Sequence, residues 1–355
     1  MRNDSYRQRI ATSNVTLYCM AILTLLLWAL RPRQDALMWS SFAFVGLITY
    51  IIVEWNNQCQ LLRIRSRMNS VTFMALALMF PMLHDGVLVW LPPLCLLGSY
   101  FILFKGYGEY RAQGYTFHAF LLLSIGSLVY PPLLLLAITL LISCSGQLRM
   151  LSLKPFVACL LGLALPYWIY AALVYTVHYS PLSPHLVAAP IVYEIGFHDL
   201  TWDAWAAYFP LALPDYLRDA TIGQMVGLGF IILLGLRAVL HFVHNSYDDK
   251  ISTRQYFYTM MLQAAPVTFF ALWFPADARF TFPLLIISAT PFVAHYFVLS
   301  RGRSTDYAFA FWLVLGIGIG LFNHLALWDY LTSLTFDDLT SPFTKIPDLW
   351  KYFTT

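Results

Sequence analysis

Charged residues are scarce in this sequence. Asp, Glu, Lys and Arg make up 11% of the chain and apolar residues 59%, with a mean hydropathy of +0.66. Soluble domains carry about a quarter charged residues, so this composition excludes an ordinary soluble domain and indicates a membrane protein. The net charge of +3 is small and no long basic tract occurs, so we expect no nucleic-acid partner.

Cysteine and the common catalytic motifs are equally sparse. The five cysteines lie in or beside apolar runs without metal-ligand spacing, so we interpret them as core or lipid-facing residues rather than a disulfide frame or zinc site. The sequence also lacks a phosphate-binding glycine loop, a zinc signature, a haem motif and a Ser-His-Asp order. The sequence therefore carries none of the short motifs by which such nucleotide, zinc, haem or serine-triad sites are recognised.

Long apolar runs are what the sequence does contain. We predict an all-α polytopic integral membrane fold with about eleven transmembrane helices, over residues 14–30, 37–54, 70–83, 86–104, 116–130, 132–148, 155–178, 222–244, 256–274, 281–299 and 307–330. The third and fifth are short and are predicted as members of tight hairpins, since neighbouring helices can satisfy backbone groups freed by Gly and Pro. We interpret the first run as a retained span rather than a cleaved signal, because no small-residue cleavage site follows it.

Basic residues set the predicted orientation. With the N-terminus inside, fourteen Lys and Arg fall in cytoplasmic segments, six fall in outer segments, and Arg237 lies within a span. This asymmetry follows the positive-inside rule and predicts a cytoplasmic N-terminus with a periplasmic C-terminus in a bacterial inner membrane. Residues 1–331 form the predicted transmembrane domain, and 332–355 form a tail on the outer surface.

The stretch EWNNQCQLLRIRSRMNS (54–70) carries arginines at alternate positions, Arg63, Arg65 and Arg67. On a helix Leu61, Ile64 and Met68 share a face, which is typical of an amphipathic helix on the inner leaflet with its arginines near anionic lipid. The alternative is that one or two of these arginines hold a phosphate of a lipid-linked substrate.

A long outer segment, 179–221, contains the sequence HDLTWDAWAAYF (198–209). Helical spacing places Trp202 on an aromatic side with Trp205 and Phe209, and places Asp199 near Asp203 on another side. This pattern predicts an interfacial amphipathic helix with an acidic edge.

A second candidate set is Arg237, His241 and His244, which fall at i, i+4 and i+7 of one predicted helix. A charged residue within a span is a functional candidate because its desolvation is costly. Three interpretations stay open: packing with the arginine extended to the interface, binding of an anionic ligand, or metal binding by the two histidines.

The outer face carries the third set. Its acids are Asp35, Asp85, Asp199, Asp203 and Asp277, and the basic residues Arg31, Arg33 and Arg279 are predicted on the same face. An enzyme acting there on a lipid phosphate needs a carboxylate as general base or divalent-metal ligand and arginines for the phosphate. Turn chemistry is the competing account, since Asp85-Gly86 is a natural tight turn.

Three stretches carry a family resemblance: RIRSRMNSVTFMALALMFPMLHDG (63–86), FILFKGYGEYRAQGYTFHAFLLLSIGSLVYPPLLLL (101–136) and LLGLALPYWIYA (160–171). They resemble an uncharacterised family of Bacteroidota inner-membrane proteins and, more distantly, polyprenyl-phosphate-sugar-dependent GT-C glycosyltransferases. The resemblance implies a GT-C-like fold. GT-C enzymes carry catalytic acids on a long first outer loop, whereas here that loop is RPRQDA, with Asp35 as its single acid.

The leading functional hypothesis is an envelope-glycan glycosyltransferase that uses a lipid-linked sugar donor. Asp35 would be the base or metal ligand, Asp85 would assist, Arg31, Arg33 and Arg279 would bind phosphate, and Asp199, Trp202 and Asp203 would belong to an acceptor platform. One alternative is a transporter or flippase for an anionic lipid or small molecule, with Arg237, His241 and His244 lining a cavity. Another is a non-catalytic membrane subunit of an envelope complex. The expected partners are membrane lipids, and a polyprenyl-phosphate-linked substrate and envelope-complex subunits are candidate partners. The sequence does not identify a cofactor, and a divalent cation is one candidate.

Overall fold

The computed structural model describes residues 6–13, 15–30, 35–64, 66–84, 86–109, 111–179, 220–300, 303–325 and 327–328. Helices account for 87% of these residues, and no strand occurs among them. The all-α expectation is therefore confirmed for the part of the chain that the structure describes.

Twelve α-helices follow one another along the described residues. They are α1 Tyr6–Thr12, α2 Val15–Ala29, α3 Ala36–Cys59, α4 Met68–Leu78, α5 Leu91–Lys105, α6 Gln113–Val129, α7 Leu136–Ser145, α8 Leu153–Tyr179, α9 Ile222–Asn245, α10 Ile251–Trp273, α11 Ala278–Leu299 and α12 Arg303–His324. Short 3₁₀ helices lie at Pro81–His84, Leu88–Trp90, Pro131–Leu135, Ser246–Asp248 and Pro275–Asp277.

Local sequence explains several helix boundaries. Thr221 and Gln224 form a capping box at the start of α9: the Thr221 hydroxyl accepts from the Gln224 amide, and the Gln224 side chain accepts from the Thr221 amide. At the end of α3, Gln60 adopts a left-handed conformation with φ 49°, which turns the chain out of the helix. Each boundary follows from satisfying backbone groups that a helix end leaves open.

One end of the helix bundle gathers the basic loops, and we name it the arginine end. The Ser66 hydroxyl bonds to the Ala11 carbonyl, the Gly108 amide to the Leu148 carbonyl at 3.3 Å, and Lys250 to the Gln60 side chain at 2.5 Å. This end carries the basic residues Arg7, Arg9, Arg63, Arg67, Lys105, Arg111, Arg149, Lys154, Lys250 and Arg254.

The opposite end collects the helix termini that the sequence places on the other side. There the Ser41 hydroxyl donates to the Leu83 carbonyl at 3.1 Å, and Tyr130 stacks on Phe280 at 5.4 Å between ring centroids. From α2 to α12, successive helices run alternately between the two ends. Of the described basic residues, Arg279 lies at the opposite end, so the charge asymmetry of the sequence coincides with a physical asymmetry of the bundle.

Among the residues that the structure describes, six helical segments are long and apolar enough to cross a membrane: Ala36–Cys59, Leu88–Lys105, Leu153–Leu173, Ile222–Asp248, Pro275–Leu299 and Ser304–His324. The count is seven if α1 and α2, which meet at 77°, form one span. Each of the eleven predicted segments overlaps a helix, but α4, α6 and α7 are short and α10 does not pass this test. The protein is membrane-embedded by this criterion, and eleven crossings stay a prediction.

Helix α11 lies at the centre of the bundle. Its span is 89% buried, compared with 11% for α12 and 28% for the spans of α3 and α8, which present apolar side chains outward. Glycines allow close packing on α9, where a side chain at Gly227 would meet the Phe80 ring and one at Gly223 would meet Asn323. Gly316 faces Phe230 in the same way, whereas Gly318 has open space.

The structure corrects the prediction of an interfacial helix over residues 56–70. Helix α3 continues to Cys59, residues 60–64 and 66–67 lie in a loop, and Leu61 and Leu62 are buried rather than set against lipid. Two contacts hold the loop: the Asn56 amide donates to the Ser66 carbonyl at 3.2 Å, and Arg63 pairs with Asp249. Local amphipathicity was overridden by these tertiary contacts. Arg65 lies outside the described residues.

Several predicted features also fall outside the described residues. These are the tail at 332–355, the helix at 198–209 and, apart from its first and last residues, the outer segment at 179–221.

Packing at Gly162 generates a stability prediction. A Cβ at this position of α8 would lie 2.5 Å from the Phe117 carbonyl oxygen and 3.1 Å from the Leu121 amide of α6, and backbone atoms cannot move without separating the helices. We expect Gly162→Ala to destabilise the protein by about 1–3 kcal/mol. Thermal unfolding in detergent checks this.

Gly318→Ala is the matched control, because nothing lies within 4 Å of its new methyl group. Alanine is the better helix former, so the control should unfold at or slightly above the wild-type temperature. Equal unfolding temperatures for Gly162→Ala and wild type would contradict the close packing of α6 on α8.

Candidate functional site

Asp35 immediately precedes α3 at the opposite end. Its backbone is extended (φ −92°, ψ 156°), its carbonyl accepts the first helical hydrogen bond from Trp39 at 3.2 Å, and its side chain is half-exposed. The carboxylate therefore stands at a helix N-terminus, where the helix dipole favours negative charge. Its partners in the predicted site, Arg31 and Arg33, lie outside the described residues.

The segment that follows α4 is tied to α3 close to Asp35. Ser41, six residues and about 9 Å along the helix from Asp35, donates to the Leu83 carbonyl at 3.1 Å and approaches the Gly86 carbonyl at 3.4 Å. The Trp90 indole donates to both Ser41 and Leu83 at 2.9 Å. Asp85 lies outside the described residues, and these bonds fix the chain on both sides of it.

Two histidines meet at this end. His84 is fully buried, packs on Trp28 with 3.6 Å between ring centroids, and lies 5.6 Å from the His324 ring. His324 contacts the Leu78 carbonyl at 2.7 Å, and the Asn323 amide donates to the Met79 carbonyl at 2.8 Å. The last turn of α12 is therefore joined to the end of α4. Neither histidine belongs to the candidate sets predicted from the sequence.

Arg279 occupies the first turn of α11 at the same end. Its side chain is exposed, its guanidinium lies 5.6 Å from the centre of the Phe280 ring, and Phe280 stacks on Tyr130. The structure thus places Asp35 and Arg279 at one end on different helices, and the described residues show no ion pair between them. Asp199, Trp202 and Asp203 lie outside the described residues.

Arg237, His241 and His244 belong to the arginine end. Arg237 and His244 are exposed on α9, while His241 is half-buried, with its ring 5.2 Å from Tyr296 and 5.8 Å from His295. Phe242, not one of these three residues, points into the core. The transport hypothesis places the three side chains around a mid-depth cavity, and their position on the outer surface of α9 gives that hypothesis no support.

A buried ionic cluster at the arginine end was missed by sequence reasoning. Oδ2 of Asp249 lies 3.0 Å from Nε2 of His295, and Oδ1 lies 2.6 Å from Nε of Arg63. The Arg63 N–H is poorly aligned with Oδ1, so this contact is an ion pair rather than a directed hydrogen bond. The side chains of Asp249 and His295 are fully buried.

Aromatic rings enclose this cluster. Phe242 and Phe257 lie 5.4 and 5.2 Å from the His295 ring, and Asp249 itself is held in a turn by the bond from its amide to the Ser246 carbonyl. A buried carboxylate needs compensating partners, and here they come from residues 186 positions upstream and 46 downstream. The run SYDDK after α9 was a visible signal, but an aspartate pair in a loop usually indicates only solvated charge.

Arg7 forms a second buried contact. Its guanidinium is 2% exposed and donates to Asp306 at 3.0 Å, to the Ser300 hydroxyl at 2.7 Å, and to the carbonyls of Phe297 and Ser300 at 2.5 Å. It joins α1 to the connection between α11 and α12. Both clusters hold loops together. Other residues, rather than these buried groups, face solvent at the arginine end.

The described residues contain no group of three His, Cys, Asp or Glu side chains placed to hold a metal ion. The recess lined by Ala220, Gln224, Leu228, Ala271 and Phe282 at the opposite end is small and apolar. Comparison of the chain with protein-family models, with curated proteins and with solved structures finds no match. Function is therefore inferred from the geometry of the two ends.

The buried cluster generates a paired mutational prediction. Removing one partner of a buried ion pair leaves an uncompensated charge, so we expect Asp249→Asn to destabilise the protein by about 3–5 kcal/mol. The neighbouring Asp248 is 64% exposed and lies 3.4 Å from Arg63. Asp248→Asn should cost about 1 kcal/mol or less.

Thermal or denaturant unfolding of the two variants in the same detergent measures the contrast. Matched losses at positions 248 and 249 would show that Asp249 is not the buried centre of the cluster.

Proposed function

We propose that this chain is an envelope glycosyltransferase of the bacterial inner membrane with a GT-C-like architecture, which transfers a sugar from a polyprenyl-phosphate donor at the opposite end. Asp35, Arg279 and the hydrogen-bonded chain on either side of position 85 lie at the same end of the bundle. This shared position is the observation that carries the proposal. A carboxylate and a phosphate-binding cation are the residue types that this transfer needs, and both are at the end without the arginine loops.

The proposed reaction assigns a step to each group. Asp35 removes the proton from an acceptor hydroxyl, and that oxygen forms a bond to the anomeric carbon of the donor sugar. The bond from the anomeric carbon to the phosphate oxygen breaks with its electron pair, so polyprenyl phosphate leaves with added negative charge. Arg279 stabilises that charge, since a guanidinium donates two hydrogen bonds to a phosphate.

A divalent cation was expected from sequence as an alternative partner for Asp35. The described residues bring no second carboxylate or histidine together with Asp35 in a metal-binding set. In the proposed reaction Asp35 acts as a base.

The orientation of the bundle supports an outer-face reaction. Positive charge is retained on the cytoplasmic side of inner-membrane proteins, so we infer that the arginine end faces the cytoplasm and the opposite end faces the periplasm. This arrangement places the proposed chemistry on the side where lipid-linked sugars of the envelope are used.

Single cysteines test the orientation. In a background lacking Cys19 and Cys59, the variants Glu109→Cys at the arginine end and Ala276→Cys at the opposite end each add one exposed thiol. In intact cells a membrane-impermeant maleimide that reaches the periplasm should label position 276 and leave position 109 unlabelled until the cells are lysed. Labelling of position 109 before lysis would reverse the proposed orientation.

The catalytic proposal is tested by Asp35→Asn. Losing the general base should lower sugar transfer by about a hundredfold or more, because this kind of catalysis contributes a factor of about 10²–10⁴. The measurement is the envelope-glycan profile of cells in which the variant replaces the wild type.

Arg279→Gln should raise the donor concentration needed for transfer, as its phosphate contact is lost.

Glu109→Gln, an exposed acid at the arginine end, is the control and should leave the profile unchanged. Each variant should keep the unfolding temperature of the wild type. If Asp35→Asn cells make the wild-type glycans in wild-type amounts, Asp35 is not the base.

A further inference from the structure

A basic face lies on α9 where the helix approaches the arginine end. It consists of Arg237, His241 and His244, which share one side of the helix, and Arg237 and His244 are exposed. No carboxylate pairs with Arg237 among the described residues, although it lies within the candidate span Ile222–Asp248. An exposed cation within a span needs a compensating partner that the described bundle does not supply.

The guanidinium of Arg237 is directed towards the arginine end. It lies 5.0 Å from the centre of the Tyr296 ring, and His241, four residues further along α9, contacts the same ring at 5.2 Å. The Arg237 side chain therefore extends by about one helical turn, roughly 6 Å, towards the end of the helix. Tyr296 itself is three residues from the end of α11. The cation–π contact thus holds the charge towards the arginine end of α9.

Charges around the basic face are predominantly positive. The groups that act electrostatically on His241 are His295, Arg237, Arg7 and His244. The nearby carboxylates are already engaged, Asp249 with Arg63 and His295, and Asp306 with Arg7. No carboxylate of the described residues therefore faces Arg237, and its positive charge is directed outward from the bundle.

Exposed apolar side chains lie beside the basic face, with Leu240 between Arg237 and His244, and Leu233 and Leu236 towards the middle of α9. Leu233, Leu236 and Leu240 are 60%, 54% and 57% exposed. A ligand that matches both parts carries negative charge at the interface and hydrocarbon below it. We propose that the basic face binds the headgroup phosphate of an anionic phospholipid, with the acyl chains along Leu233, Leu236 and Leu240.

The phosphate receives two donors from the planar Arg237 fork, and the exposed His244 ring adds a polar contact at the same level. The site lies at the arginine end, whereas the proposed sugar transfer takes place at the opposite end. Asp35→Asn therefore leaves lipid binding intact, so failure of either proposal can be recognised separately.

The test measures lipid binding to the purified full-length chain in detergent. Phosphatidylglycerol and phosphatidylcholine with the same acyl chains are titrated, and bound lipid is counted by native mass spectrometry. We expect a preference for phosphatidylglycerol, and we expect Arg237→Gln to weaken phosphatidylglycerol binding by about tenfold or more, as for loss of a charge-assisted hydrogen bond. Phosphatidylcholine carries the same phosphate beside a positively charged choline, so we expect its weaker binding to fall by less.

Arg111→Gln is the matched control, because Arg111 is another exposed arginine at the arginine end. It should bind phosphatidylglycerol as the wild type does. If Arg237→Gln proves unstable, His244→Gln tests the same face at a fully surface-exposed position and should weaken binding in the same direction.

Three results would overturn the proposal. They are equal affinity of the wild type for the two lipids, equal weakening by Arg237→Gln and Arg111→Gln, and displacement of phosphatidylglycerol by inorganic phosphate at equal concentration. The last result would identify the ligand as a free phosphate ion rather than a lipid.

Discussion

The burial of α11 is the constraint on which the rest of the bundle depends. A helix covered on nearly every side must satisfy its polar groups within the protein, because neither water nor lipid headgroups reach them. Ser288 and Thr290 return hydrogen bonds to the carbonyls of Leu284 and Ile286 at 2.9 and 2.7 Å. The His295 ring contacts the Asp249 carboxylate, which lies in the turn after α9. Because α4, α9 and α10 pack around this helix, its two termini fix which groups meet at each end.

The two ends are held together by different interactions. At the arginine end, buried ion pairs join segments that are far apart in sequence, as Arg63 with Asp249 and Arg7 with Asp306. At the opposite end, the contacts are hydrogen bonds to backbone carbonyls and stacked rings, as at Ser41, Trp90 and His84. Buried ion pairs tolerate substitution poorly, whereas stacked and backbone-bonded segments can carry different side chains on their exposed faces. The opposite end is the better support for a variable binding site.

Much of the architecture could be predicted from sequence, because apolar runs are a local property. Each predicted segment overlaps a helix, and the sorting of basic loops to one end follows from counting charge. The length of a crossing helix was less predictable. Helix α4 has 11 residues, nearly all buried, since its neighbours rather than lipid surround it.

The ionic clusters could not be predicted for a different reason. Arg63 looked like part of an amphipathic helix and Asp249 like a solvated loop residue, and only tertiary contact between residues 186 positions apart gives them a role. Part of the candidate site could be predicted from the sequence. Asp35 and Arg279 could be assigned to one end from sequence, but the distances between helices that decide their cooperation are not encoded in local pattern.

The contact made by Arg7 has a consequence for biogenesis. Its acceptors on Phe297, Ser300 and Asp306 are synthesised about 290 to 299 residues later. At a translation rate of about 5–20 residues per second, roughly 15–60 s pass before they exist. During that interval Arg7 has none of these partners, although Ser66, which bonds to the Ala11 carbonyl of α1, has already been synthesised. The N-terminal segment therefore completes its contacts only when α12 has been made.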